Sequence, residues 1–408
     1  MKIAIVTSGY FPIPPVLGGA VESLIDLIIK ENEKEKCVDI TVFSCFNEKA
    51  KVISDGYVAT KVEYVVIPKS IQALDKCIYF FAKNIFRLKK HMSFRYILQR
   101  LYFIKQVGKN LEKIDYERVL LENNPVLLST VKSSTNQGKY KNKVYYHAHN
   151  VIYNDFGNGK LLRKCKAVVS VSEFISNKIK ERIGDNSEVE YRVLRNRIDE
   201  ERFRNIDYEK AEALREKYNI GKDEVVVMFT GRLNAEKGVN ELLKAFEKAD
   251  IENSRLVICG SYYFGSSMKS EYEIELAELA KKLGDKVIFT GFIDYSEMPN
   301  YYAMADIMAA PSLWDEPAFL AGIEAVTAGK ALITTNAGGI PEYAKPEYAY
   351  VIDKNSYVVE ELKKALEVMI KDPDLRENYA AKAKEASKQW TKNSYYKDFI
   401  KALDVEDN

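Results

Sequence analysis

The sequence predicts an α/β protein built from two doubly wound, parallel-sheet domains. Three observations lead there. At 408 residues the chain exceeds what one hydrophobic core organises, which favours two domains of roughly 200 residues each. Its short β-branched runs, such as KIAIV, VVVMF and ALITT, lack polar alternation, as do strands of a parallel sheet covered on both faces. Each run leads through a loop into an amphipathic helical segment, and that alternation marks doubly wound units.

Taken in order, KIAIV is followed by TSGYFPIPPVLGG, the helical AVESLIDLIIKENEK and the strand VDITVFS. Pro12, Pro14 and Pro15 keep helix from starting before Val16. From Asn196 to Tyr218 the chain is charged and has no apolar strand, so the domain junction is placed there. The domains are then 1–200 and 201–390, with the second sheet starting near Glu224. In the second half EVVVMFTG precedes GVNELLKAFEKA, RLVICG precedes EYEIELAELAKKLG, and KVIFTG precedes EMPNYYAMA. ADIMAAPS and ALITTN lead into AGIEAVTAG and IPEYA, and two closing helices are separated at Trp390. Ligands of such sheets bind beyond the carboxyl ends of the strands, so two domains are expected to face each other across a cleft.

Composition narrows the class. A hydrophobic share of 47% with 29% charged residues describes an ordinary soluble globular protein. With 61 basic against 59 acidic residues, overall charge does not drive nucleic-acid binding. Cys37, Cys45, Cys77, Cys165 and Cys259 are scattered and form no C-x-x-C pair, which implies reduced thiols in a cytosolic protein. MKIAIVTSGY is too short for the apolar core of a signal peptide, and no apolar run approaches the ~18 residues of a membrane span. The expected location is the cytoplasm, free or peripheral on the inner membrane face.

The loops after the strands carry the candidate site. Gly18 and Gly19 open the first helix, where backbone N–H groups can approach a phosphate; a turn pair is the alternative, and the spacing is not a dinucleotide fingerprint. His147 and His149 end KVYYHAHN, where an imidazole can hydrogen-bond a substrate or move a proton near neutral pH. No nearby cysteine or carboxylate cluster completes a ligand set with them, so no metal and no cofactor are expected. Arg232 and Lys237, flanked by Gly231 and Gly238, suit a diphosphate, the first as a fork and the second as a point charge; a solvated loop is the bland reading.

In PSLWDEPAFLAGIEA, Pro317 suits a first helical position, which puts Glu316 at the helix start and frees the N–H groups of Ala318, Phe319 and Leu320. Glu324 then lies two turns into that helix. Buried carboxylates need partners. A sugar diol and a ribose diol would supply them, or a helix cap and a neighbouring lysine would. Gly338 and Gly339, after ALITTN, again bring helical amides to hand. The D-x-D of Asp372 and Asp374 reads as a helix cap.

GRLNAEKGV followed by PSLWDEPAFLAGIEAVTAGKALITTNAGGIPE closely resembles the signature of retaining glycosyltransferases of family 4, bacterial cell-surface polysaccharide enzymes among them. The early glycine pair, VSVSEFISNKI, NRID, DPDLRENYAAKAKEAS and the late tryptophan agree in order. The resemblance implies the GT-B fold, with two Rossmann-like domains and a final helix, 391–408, packed back on the first. It implies transfer from a nucleotide-diphosphate sugar, UDP- or GDP-type, without metal. It assigns Arg232 and Lys237 to the diphosphate, Glu316 to the donor sugar's hydroxyls and Glu324 to the ribose. Gly18 and Gly19 match the phosphate loop, and His149, with His147 second, matches the histidine near the donor sugar. Ala318-Phe319 stands where the family commonly has Phe-Gly, which bears on sugar choice.

Residues 76–111 hold nine basic and no acidic residues, interleaved with aromatics: Lys76, Lys83, Arg87, Lys89, Lys90, Arg95, Arg100, Lys105 and Lys109 beside Tyr79, Phe80, Phe81, Phe86, Phe94, Tyr96, Tyr102 and Phe103. Such a segment suits an anionic membrane surface and a lipid-linked saccharide acceptor, or is simply a basic helical face. No RNA module accompanies it, so nucleic acid is not an expected partner. A non-hydrolysing nucleotide-sugar epimerase and a non-catalytic nucleotide-sugar-binding protein are the alternatives.

Overall fold

A computed structural model describes residues 1–86, 95–184, 188–261 and 270–405. The chain divides into two compact units, Met1–Arg195 with Tyr395–Asn408, and Asn196–Ser394. In the first, β1 (Lys2–Val6), β2 (Asp39–Cys45), β3 (Thr60–Val65), β4 (Arg118–Glu122), β5 (Val144–Ala148), β6 (Ala167–Ser170) and β7 (Glu190–Val193) form one sheet in the order β3-β2-β1-β4-β5-β6-β7. Every neighbouring pair is parallel. The side chains of β1, β4, β5 and β6 are almost wholly buried, which is why these strands read as unbroken apolar runs.

The second unit repeats the plan. Strands β8 (Val225–Thr230), β9 (Ser254–Cys259), β10 (Val287–Gly291), β11 (Ile307–Ala310), β12 (Ala331–Thr335) and β13 (Tyr350–Ile352) lie in the order β10-β9-β8-β11-β12-β13, all parallel. In both sheets the winding reverses once, between β1 and β4 and between β8 and β11. Loops leaving the carboxyl ends of those two strands diverge to opposite faces and leave a crevice, the place where α/β sheets bind ligands.

The last helix, Lys392–Ala402, ends in the first unit. Tyr395, Phe399 and Leu403 lie in one apolar core with Ile3, Ile5 and Ile25. Polar bonds lock its end: Arg118 Nε donates to Leu403 O at 2.7 Å, and the Tyr396 hydroxyl donates to Asn32 Oδ1 at 2.6 Å. Asp372 caps the Pro373–Ser387 helix, accepting from Leu375 N–H at 2.9 Å, as read for the D-x-D.

Candidate active site

Three loops of the second unit meet at Glu316. The loop after β8 ends in a 3-10 turn, Ala235–Lys237, and enters the Val239–Ala249 helix. It is stitched to the loop after β11 through one carbonyl: Leu313 N–H and Trp314 N–H donate to Glu236 O at 2.8 and 3.2 Å. Gly238, at φ +70°, would place a Cβ 2.0 Å from Pro311 O, so only glycine lets the two loops come this close. That approach delivers Lys237. Its Nζ lies 2.5 Å from Glu316 Oε1, and the Ser312 hydroxyl donates to the same oxygen at 2.7 Å.

The loop after β12 supplies the third side. Glu316 forms a parallel β-bridge with Gly338, and Gly339 N–H donates to Glu316 O at 2.7 Å. Gly338, at φ +60°, sits so close that an added Cβ would meet Asp315 C at 2.6 Å. Glu316 is thus a buried carboxylate held at side chain and backbone from three sides, with Arg232 exposed in the first of those loops.

Two expectations are corrected here. The helix after Glu316 begins at Leu320 with Phe319 as cap, three residues later than Pro317. The bridge to Gly338 holds Glu316 extended, and a residue before proline already disfavours helix, so Glu316 precedes the helix instead of starting it. Ala318 therefore lies outside the helix, and the Phe319 side chain belongs to the apolar core of the unit. The amide of Gly339 is committed to Glu316 O and is not a free helical donor.

Glu324 lies in the second turn of the Leu320–Thr327 helix, buried, its Oε2 accepting from the Tyr302 hydroxyl at 2.9 Å. Burial pushes its carboxyl up to about 7, against the opposing pull of the Tyr302 and Tyr295 hydroxyls. Neither tyrosine was singled out from the sequence. Both precede β11 in chain order, and nothing in their local pattern distinguishes them from core aromatics.

In the first unit the expected residues follow β1 and end β5, on either side of the other winding reversal. Gly19, at φ 114°, caps the Ala20–Glu35 helix that follows β1. Across the reversal, β4 ends in Glu122, which pairs in register with His147 on β5. This corrects the reading that no carboxylate lies near the histidines: Glu122 Oε2 is 3.0 Å from both His147 Nδ1 and His149 Nε2. The three are buried together at 1%, 1% and 7% exposure for Glu122, His147 and His149. Burial alone would raise the Glu122 carboxyl, but His147 and then His149 outweigh it and hold it at about 2. Burial, aided by His147, holds the His149 imidazole down at about 4. Glu122 is therefore ionised and His149 neutral near neutral pH. The available signal was a carboxylate closing the apolar run RVLLE.

Glu22, in the first turn after the glycine pair, is a further buried carboxyl, raised by burial to about 7.

Residues 210–386 match the model of the glycosyl transferases group 1 family. The Bacillus subtilis protein YtcC is 25% identical over 398 residues, 94% of this chain and 87% of its own. A lipopolysaccharide 1,2-N-acetylglucosaminetransferase of Salmonella typhimurium is 34% identical over 133 residues, 32% of this chain and 35% of the enzyme. Among solved structures, Anabaena HepE in complex with UDP and glucose covers 100% of both chains at a TM-score of 0.71 and 19% identity, a likeness of fold. Two parallel-sheet, Rossmann-like units with this topology define the GT-B fold. Within that fold, it is the second unit, through residues 210–386, that matches the glycosyl transferases group 1 family.

Proposed function

We propose that the protein transfers a sugar, with retention of configuration, from a nucleotide-diphosphate sugar to a saccharide acceptor. The observation that carries this is the Lys237–Glu316 contact at 2.5 Å, built by three loops at the winding reversal of a group 1 domain. As the bond to the leaving diphosphate breaks, negative charge grows on its oxygens. Lys237 and Arg232 are the cations that meet that charge, so the diphosphate needs no metal of its own. Glu316 takes the sugar's hydroxyls, Glu324 the ribose diol, Gly18 and Gly19 a phosphate, and His149 the donor sugar. HepE, of the same fold, holds UDP and glucose, which supports UDP as the first base to test. A calorimetric screen of UDP-, GDP-, ADP- and dTDP-sugars is expected to single out one base, and the anomer of the product reports retention. A donor converted to an isomer without any acceptor would make the protein an epimerase instead.

The acceptor is proposed to be lipid-linked, reached from an anionic membrane surface. Among the described residues no helix is long and apolar enough to cross a membrane. The Lys69–Phe80 helix nevertheless buries only Asp75, and its last residue, Phe80, with Phe81, Ile85 and Phe86 beyond it, is 49–67% exposed beside the exposed Lys76 and Lys83. Phe103 is instead a core residue, 1% exposed. Arg87, Lys89, Lys90 and Phe94 lie outside the described residues. Each cation near an anionic surface adds about 1 kcal/mol, and the aromatics add apolar insertion. At low salt the protein is expected to cosediment with phosphatidylglycerol vesicles at least tenfold more than with phosphatidylcholine vesicles. Equal partition would remove the membrane from this reading.

A further inference from the structure

We infer that Glu122, His147 and His149 form a binding site for a divalent transition metal, zinc foremost, in the first unit. The placement follows from strand register. Glu122 closes β4 beside His147 on β5, and His149 follows two positions on, the spacing that returns a side chain to the same face. The atoms that converge are one carboxylate oxygen and two ring nitrogens. Glu122 Oε2 lies 3.0 Å from His147 Nδ1 and 3.0 Å from His149 Nε2, and the nitrogens are 3.2 Å apart. A tetrahedral ion with ligands at about 2.0 Å spaces neighbouring ligand atoms about 3.3 Å apart, so this triangle is close to one face of such a shell. Two imidazoles and a carboxylate are also the donor set that zinc takes where its fourth position is left to water or substrate.

Hydrogen bonding alone describes the cluster less well. If each ring donates to its own carboxylate oxygen, His147 Nδ1 to Oε1 at 3.3 Å and His149 Nε2 to Oε2 at 3.0 Å, two N–H groups are left facing each other across 3.2 Å. Three lone pairs within 3.2 Å of one another would instead share a cation without conflict, and a dication offsets the charge of a carboxylate that is 1% exposed. Ligation through Nε2 leaves Nδ1–H of His149 as a donor, so the ring can hold the ion and still contact a hydroxyl. The site does not rest on the transferase reading, because its test reads bound metal and not turnover.

The full-length protein, stripped with a chelator, is titrated with cobalt(II) near neutral pH and then with zinc(II). One cobalt per chain is expected, with the strong visible absorption of a low-coordinate ion, displaced by one equivalent of zinc. Glu122→Gln keeps the size and the hydrogen-bond acceptor but not the charge, and is expected to weaken cobalt at least about tenfold with a wild-type melting curve. If that variant does not fold, His149→Gln carries the same expectation. Absence of the cobalt spectrum overturns the site. So does binding that persists unchanged in the variant with a thiolate charge-transfer band, since the ion would then sit on the exposed Cys37 or Cys77.

Discussion

Lys237→Met is expected to lower sugar transfer at least a hundredfold and to destabilise the second unit by about 3 kcal/mol, the low end for a broken buried ion pair. Glu316→Gln is expected to lose transfer to a similar degree at much smaller loss of stability. The asymmetry follows from burial. The Lys237 side chain is 25% exposed and that of Glu316 8%, so a widowed lysine regains water and a widowed glutamate does not. Without Lys237 the carboxylate keeps only the Ser312 hydroxyl. The amide introduced by Glu316→Gln would keep that bond and remove the charge. The loss of transfer reflects a different property: a lysine already fixed by its partner needs little reorganisation when charge develops on the donor, and one such preorganised contact is worth about a hundredfold or more. Steady-state kinetics and thermal melts of the two variants check both halves. Turnover unchanged in both would remove the pair from the chemistry, and equal destabilisation would refute the burial argument.

The parts of this architecture that repeat locally were legible in the sequence. Apolar runs such as VVVMF and ALITT are strands buried on both faces, and each announces itself within a few residues. Loop chemistry was legible too: Gly238 and Gly338 were noticed as glycines, and the structure gives each a reason, a backbone approach no side chain tolerates. What escaped was pairing across distance. Lys237 and Glu316 are 79 positions apart, and both were singled out as ligands of a missing molecule when each is also the other's partner. Glu122 escaped because a carboxylate 25 positions from His147 becomes its neighbour only through strand register. The helix start at Pro317 failed for another reason. A local preference for proline at the first helical position lost to a long-range bridge from Gly338, which keeps Glu316 extended. Tertiary contacts override local preference most readily where several loops converge, and that is where the candidate site lies.

Glu324 provides the second large effect, and its sign is set by protonation. Its carboxyl is raised from an ordinary 4.5 to about 7 in the folded chain, chiefly by burial. Below pH 4.5 the group is protonated in both folded and unfolded chains and imposes no penalty. As pH rises towards 7 the unfolded chain ionises first, so folding must retain a proton and stability falls. At about 1.4 kcal/mol for each pH unit of displacement, the loss approaches 3 kcal/mol by the time the folded group itself ionises. Glu324→Gln has nothing to titrate, and its carbonyl can still accept from Tyr302. Relative to that variant, wild-type protein is expected to lose about 5 to 10 °C of thermal midpoint between pH 5 and pH 8, at about 2 to 4 °C per kcal/mol for a unit of this size. Glu22, raised in the same direction, shifts wild type and variant alike, so the difference between them isolates Glu324. On the proposed reading, the same residue would tie stability to donor binding. A ribose diol that donates to the ionised carboxylate would draw Glu324 towards its charged form, so a nucleotide should stabilise wild type more at pH 8 than at pH 5 and barely stabilise the glutamine variant. A midpoint difference that does not move with pH would mean that the carboxyl titrates as an exposed one does, and the buried Tyr302–Glu324 contact would no longer explain why a glutamate stands there.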